Sequence, residues 1–250
     1  MGKLSNKTAF ITGGNSGIGL ATAKLFVEEG AQVIIQGRNE EKLKEAVSEL
    51  GGNTTYVVAD LRRISDIRNI KEEISTRVDH LDILFLNAGV AYFAPIDRID
   101  EEFFDSQFET NVKGVFFTIQ ELLPLTNNGS SIILNGSVNS FMARPMSSVY
   151  AATKAAIASF GITMAAELAP DDVRVNVVHP GPTQTPIFSK MGMPEEQLNQ
   201  MASSIQNAVP MGRFGNPNEI AKAVLFFASD DSTFSTGSTI IADGGMGTIR

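Results

Sequence analysis

Short apolar runs alternate with longer amphipathic stretches along this chain, and the alternation is regular. Thr8–Thr12, Gln32–Gln36, Thr54–Ala59, Asp82–Leu86, Ser131–Asn135, Val173–Val178 and Ser238–Ile241 are short and rich in β-branched and aromatic residues, the signature of buried strands. Between them lie helical patterns: the stretch from Leu20 to Gly30, Glu40–Leu50, Ile64–Val78, Glu101–Leu123, Ser147–Leu168 and Asn218–Ala228. Strand-helix alternation predicts an α/β fold, a doubly wound parallel sheet of about seven strands with helices on both faces. Its crossovers are expected to be right-handed. No linker or low-complexity segment interrupts it, so residues 1–250 read as a single domain. Only residues 186–212 break the rhythm, and they read as a lid over a substrate site.

The strand ends carry the chemistry, because open α/β sheets bind ligands beyond the carboxyl ends of their strands. The first strand runs into Gly13-Gly14-Asn15-Ser16-Gly17-Ile18-Gly19 and then a helix. Glycines there allow a sharp turn and close approach to a pyrophosphate, and the helix offers its first amides to the anion. Gly13, Asn15, Ser16, Gly17, Ile18 and Gly19 are therefore candidate dinucleotide contacts. A site selective for NAD places an acid at the end of the second strand, but here Gly37 and Arg38 follow Gln36. The missing carboxylate and the guanidinium fork favour a 2'-phosphate, hence NADP(H). Asp60, with Leu61, ends the third strand and is suited to accept from an adenine amino group. Asn87, Ala88 and Gly89 after the fourth strand suit close approach by a ribose. Pro180-Gly181 with Thr183 and Thr185 after the sixth strand forms a rigid turn carrying hydroxyls.

Tyr150 and Lys154 stand four residues apart, nearly one helical turn, so their side chains share a face. A phenol titrates near 10, and a neighbouring ammonium is expected to lower it toward working pH. Such a group can exchange a proton with a carbonyl oxygen. Ser137, after the fifth strand, is placed to hydrogen-bond that oxygen.

Composition narrows the choice. No cysteine and only two histidines, His80 and His179, argue against a metal site, and both histidines read as structural or solvated. A net charge of −8 argues against nucleic acid and against an acidic protein partner. The polar opening residues lack a signal-peptide core, and no run reads as a membrane span, so a cytoplasmic location is expected.

These motifs, in this order, resemble the short-chain dehydrogenase/reductase family over nearly the whole chain. Thr12-Gly13 with Gly17 and Gly19, Asn87-Ala88-Gly89, Asn111-Val112-Lys113-Gly114, Ser137, Tyr150 with Lys154, Pro180-Gly181 and Asp243-Gly244-Gly245 match its pattern. Leu86 departs from it, standing where the family often has a further asparagine. The resemblance implies that Tyr150 is the acid/base, that Lys154 tunes it and binds the nicotinamide ribose, that Ser137 polarises the carbonyl, and that Asn111 positions a water linking Lys154 to solvent. It implies NADP(H)-dependent interconversion of a small carbonyl compound and its alcohol. Reduction of 3-oxoacyl groups on an acyl carrier protein, and a non-catalytic NADPH-binding relative, are the alternatives. Enoyl reductases of this scaffold space the tyrosine and lysine further apart. A homotetramer, with a dimer as the smaller alternative, is expected through the helices at Glu101–Leu123 and Ser147–Leu168. Ile187, Phe188, Met191, Met193, Val138, Met142, Tyr92 and Phe93 are candidates for an apolar substrate wall.

Overall fold

The computed structural model describes residues 2–186 and 195–249. Seven parallel strands form one sheet: β1 (Thr8–Thr12), β2 (Gln32–Gly37), β3 (Thr54–Val58), β4 (Leu81–Leu86), β5 (Thr126–Asn135), β6 (Arg174–Pro180) and β7 (Thr239–Ala242). Their order is β3-β2-β1-β4-β5-β6-β7. Order reverses between β1 and β4, and that crevice is where such sheets bind ligands. The helices are α1 (Gly17–Glu28), α2 (Glu40–Leu50), α3 (Ile64–Ser75), α4 (Glu101–Phe108), α5 (Gly114–Leu122), α6 (Ser148–Leu168), α7 (Glu195–Ala208) and α8 (Pro217–Ala228).

The two-residue period of the strands sorts the core into two layers. Phe10, Ile34, Leu84, Leu86, Ile132, Leu134, Val175 and Val177 face one side, packed with residues of α3, α5 and α6. Their neighbours Ala9, Ile11, Val33, Ile35, Ile83, Phe85, Ile133 and Val178 face the other, packed with α1, α2 and α8. Burial on both faces explains why these strands read as continuous apolar runs. Each fully buried side chain of this size contributes about 1.5–3 kcal/mol of hydrophobic stabilisation.

Three expectations change. The stretch Glu101–Leu123 is not one α-helix: a π-helical turn over Glu109–Lys113 separates α4 from α5. The extra residue carries Asn111 inward, where it is 1% exposed. Gly114 follows where a Cβ would lie 2.8 Å from Leu61 O, so only glycine allows this close passage. Second, the interrupted stretch contains a helix, α7. Third, residues 148–171 are long and apolar enough by composition to cross a membrane, contrary to the reading of the sequence. That helix is apolar because one side packs against the sheet, burying Thr153, Lys154, Ile157, Gly161 and Met164.

Candidate active site

The glycine turn joins β1 to α1. Gly13 and Gly17 have φ of 63° and 54°, left-handed values that favour glycine. A Cβ on Gly19 would collide with Gly13 O. Ser16 is the N-cap of α1, yet its side chain makes no capping hydrogen bond. Its hydroxyl and the first amides of α1 therefore stand available beside the groove lined by Gly13, Asn15, Ser16, Gly17 and Ile18.

The same groove continues past Gly37, Arg38, Asp60 and Leu61. Gly37 is buried, and a Cβ there would meet Asn15 Oδ1 at 3.1 Å. Arg38 is exposed and makes no ion pair among the described residues; its charge helps lower Asp60. Asp60 is mainly engaged with Arg62, whose Nη2 donates to Oδ2 at 2.6 Å and whose Nε donates to Oδ1 at 3.1 Å. Chiefly for that reason its carboxyl lies below the ordinary range. The carboxylate expected to face an adenine is thus already paired, with acceptor capacity left over.

Asn87 is a structural clamp. Its Nδ2 donates to Thr12 O at 3.0 Å and Gly13 O at 3.3 Å, tying the turn after β4 to the glycine turn. Thr12 Oγ1 accepts from both Asn87 N and Ala88 N at 2.9 Å. Leu86 is 2% exposed and sits in the core, so the departure at that position is filled by packing.

Ser137, Tyr150 and Lys154 line one cavity of about 400 Å³. Ser137 follows β5 and is 8% exposed, with Oγ accepting from Asn139 N at 3.2 Å. Lys154 is 5% exposed; its Nζ donates to Asn135 O at 2.7 Å and lies 5.9 Å from the Tyr150 ring centroid. Burial pushes this ammonium down to about 8. The Tyr150 phenol is pushed up by burial, while a hydrogen bond with Ser137 pulls it back down. This direction corrects the expectation of a lowered phenol: desolvation is the largest cause of the shift, and the Lys154 ammonium is directed at Asn135 O. Phe93 packs edge-on against the Tyr150 ring at 5.6 Å.

Asn111 approaches from the π-turn. Its Oδ1 accepts from Val90 N at 2.8 Å, and its Nδ2 donates to Val90 O at 2.8 Å and Thr153 Oγ1 at 3.1 Å. The side-chain amide is engaged with protein at both ends. It holds the turn after β4 against α6. Pro180, Gly181, Thr183 and Thr185 border the cavity from the end of β6. Thr183 Oγ1 donates to Gly181 O at 3.0 Å, and Thr185 packs against the glycine turn at Gly17. Asp243 secures the final turn, accepting from Gly245 N at 2.8 Å and Gly247 N at 2.7 Å.

Val138 and Phe93 line the cavity as expected, joined by Met146, Met201, Ile205 and Met246; Met142 is not among them. Tyr92 borders the dinucleotide groove instead. Ile187, Phe188, Met191 and Met193 lie outside the described residues. No group of metal-ligating side chains occurs among the described residues.

Gln36, Asn135 and Arg144 escaped the sequence reading, and His179 takes a structural place. Gln36 Nε2 donates to Ala59 O at 2.7 Å, bracing β2 against β3 beneath the groove. Asn135 Nδ2 donates to Asn87 Oδ1 at 2.9 Å, while its own Oδ1 is buried without a partner between cavity and groove. His179 Nδ1 lies 3.2 Å from Ser137 N and 3.0 Å from Ser137 O, under the turn that presents the serine. Burial is the main cause that holds this imidazole below its ordinary value, hence neutral. Arg144 borders the cavity between Ser137 and Tyr150. A polar residue at the C-terminal end of an apolar run was the available signal for Gln36, Asn135 and His179.

Comparison with known proteins agrees with this arrangement. A family model described as Enoyl-(Acyl carrier protein) reductase matches residues 13–247. An oxidoreductase, asL5, of Sarocladium schorii is 41% identical over 99% of this chain and 98% of its own. The 3-oxoacyl-[acyl-carrier-protein] reductase FabG of Thermotoga maritima is 37% identical over 98% and 99%. Among solved structures, the 3-ketoacyl-(acyl-carrier-protein) reductase of Brucella melitensis complexed with NADH superposes with a TM-score of 0.89 at 28% identity, covering 98% of this chain and 99% of that one. The Pseudomonas aeruginosa RhlG/NADP complex gives 0.91 at 29% identity, covering 98% of each. With the parallel sheet, the glycine turn and the Ser137–Tyr150–Lys154 cluster in place, the chain belongs to the short-chain dehydrogenase/reductase family.

Proposed function

We propose that this protein reduces the ketone of a 3-oxoacyl compound to a secondary alcohol with NADPH, and catalyses the reverse oxidation with NADP. The observation that carries the reading is the meeting of Ser137, Tyr150 and Lys154 on one cavity that shares Ile18, Asn87, Gly89, Asn135 and Thr185 with the dinucleotide groove. The groove fits such a cofactor. It offers left-handed glycines, the uncommitted Ser16 hydroxyl and amides of α1 for a pyrophosphate, and the unpartnered Asn135 Oδ1 as an acceptor. Gly37 and Arg38 favour the 2'-phosphate of NADP.

Bound there, the cofactor supplies hydride to the carbonyl carbon. Tyr150 gives its phenolic proton to the carbonyl oxygen, and Ser137 donates a hydrogen bond to the same oxygen as charge develops on it. Lys154, still mostly protonated at neutral pH, places positive charge beside a phenol that burial otherwise holds protonated. His179 and Gly136 fix the turn that aims Ser137, and Asn111 clamps α6 to the turn after β4.

The names of the relatives favour the 3-oxoacyl thioester as substrate. A free carbonyl compound is the second reading, favoured by surface charge. The chain has a net charge of −8, which repels an acidic carrier protein. The test is the fall in NADPH absorbance with ethyl 3-oxobutanoate and a 3-oxobutanoyl thioester. Turnover is expected in the unmodified protein and its loss in Tyr150→Phe, with NADPH binding retained. Near-normal turnover by Tyr150→Phe refutes the assignment.

A further inference from the structure

We propose that Arg144 is a specificity residue that grips a carboxylate on the substrate, so that the ketone reduced here is that of a short oxo acid. The inference rests on the carbonyl-reductase reading in its second form, a free carbonyl compound, since a thioester has no carboxylate to offer, and it states what lies at the far end of that substrate.

Among the described residues no carboxylate lines the cavity, although the chain holds 28 acidic residues, and the cationic lining residues described are Lys154 and Arg144. Lys154 is committed to Asn135 O. Arg144 is half-buried, and its guanidinium makes no ion pair or hydrogen bond among the described residues. Its burial is costly enough to pull the group below its usual value, with desolvation the only cause. The other substantially buried arginine behaves differently. Arg174 donates to Ser232 Oγ at 3.0 Å and Phe227 O at 2.9 Å, so its donors are met inside the fold. Exposed arginines such as Arg62, Arg77 and Arg213 are paired with carboxylates. A guanidinium withdrawn from water, with five donors and no acceptor, is unfavourable unless something completes it.

The position fits a ligand. Arg144 lies between Ser137 and Tyr150 in sequence, and its carbonyl is held by Ser147 Oγ at 2.7 Å next to the start of α6. The side chain is therefore mounted on an anchored segment rather than on a free loop. It does not line the dinucleotide groove, where Arg38 stands, so the phosphates of a cofactor do not account for it. One planar fork matches one carboxylate. The remaining walls are largely apolar, with Val138, Met146, Met201 and Ile205, and a volume of about 400 Å³ suits a short carbon chain. In the reaction the ketone carbon gains hydride, its oxygen takes the Tyr150 proton, and the carboxylate leaves unchanged.

The test uses 2-oxobutanoate, 3-oxobutanoate and 4-oxopentanoate beside their methyl esters, with NADPH, in the unmodified protein and in Arg144→Met and Arg144→Lys. For at least one pair the acid is expected to exceed its ester by about tenfold or more in kcat/KM, mainly through KM. In Arg144→Met that ratio falls to about one, and Arg144→Lys restores part of it. A second readout is independent of turnover. Calorimetric titration of 3-hydroxy-3-methylbutanoate, a tertiary alcohol that cannot be oxidised to a ketone, into the NADP complex should show binding that Arg144→Met loses. An ester preference, or an acid preference untouched by Arg144→Met, overturns the proposal while leaving the carbonyl-reductase reading intact. Failure to reduce any ketone, acid or ester, overturns both.

Discussion

Replacing Lys154 by Met separates what this lysine costs the fold from what it contributes to the site. Burial takes its ammonium from the ordinary 10.5 to about 8. The folded protein therefore releases the proton at lower pH than the unfolded chain does. Below about pH 8 both states hold it, and the folded state bears the full desolvation penalty. Between about 8 and 10.5 only the unfolded chain holds it, so stability rises with pH across that window. At about 1.36 kcal/mol per pKa unit, the full penalty is roughly 3 kcal/mol. Met removes it, but leaves Asn135 O without its 2.7 Å donor, at a cost of about 1–3 kcal/mol. That loss hardly changes with pH, because a neutral amine donates as well.

The stability difference between the two proteins at one pH is thus small, and its change with pH is diagnostic. From about pH 7 to pH 9.5 the unmodified protein should gain roughly 2 kcal/mol relative to Lys154→Met. Urea unfolding without cofactor at both pH values measures this, provided the slopes agree. Turnover should be lost in the variant at either pH. A stability difference identical at the two pH values refutes the reasoning, since it would mean that Lys154 keeps its water.

Cofactor choice is tested by kcat/KM for NADPH and NADH at one ionic strength. A charge-assisted bond from Arg38 predicts about ten- to a hundredfold preference for NADPH, and Gly37→Asp with Arg38→Leu should reverse it; equal use of both by the unmodified protein sinks the Arg38 assignment. A Cβ on Gly136 would lie 2.5 Å from His179 Nδ1. Gly136→Ala should therefore displace Ser137 and lower kcat on the order of a hundredfold with the circular dichroism unchanged, and full activity would show that the turn yields easily. Phe104, Phe116 and Ile162 are 43%, 36% and 61% exposed on α4, α5 and α6. Such apolar surface should be covered by further copies of the chain, so light scattering should report a tetramer; a monomer at micromolar concentration contradicts this.

The sheet was legible because each strand carries its own evidence. Ile132, Ile133 and Leu134 are apolar in succession since both faces of β5 are covered, and the helices between strands set the parallel order. The meeting of Ser137, Tyr150 and Lys154 was legible for a related reason: helical spacing places Tyr150 beside Lys154, and strand ends converge on the sheet's edge. Partnerships across the crevice were not. Nothing local to Asn135 says that it links Asn87 to Lys154, and nothing local to Arg62 says that it occupies Asp60. The π-turn at Asn111 was hidden as well, because its i, i+3, i+4 pattern differs from an α-helix by one inserted residue.

The direction of the Tyr150 shift has the same origin. Spacing alone puts an ammonium near a phenol, and in water that would lower the phenol's pKa. Here both groups are sunk into the cavity wall, and desolvation disfavours the charged form of each, raising Tyr150 and lowering Lys154. A phenol held protonated is the form needed to give a proton to a carbonyl oxygen. The Ser137 hydrogen bond opposes the rise. Burial and Ser137 therefore push the phenol in opposite directions. In the proposed reaction the serine's place, set by Gly136 and His179 beneath it, decides how strongly it opposes the rise.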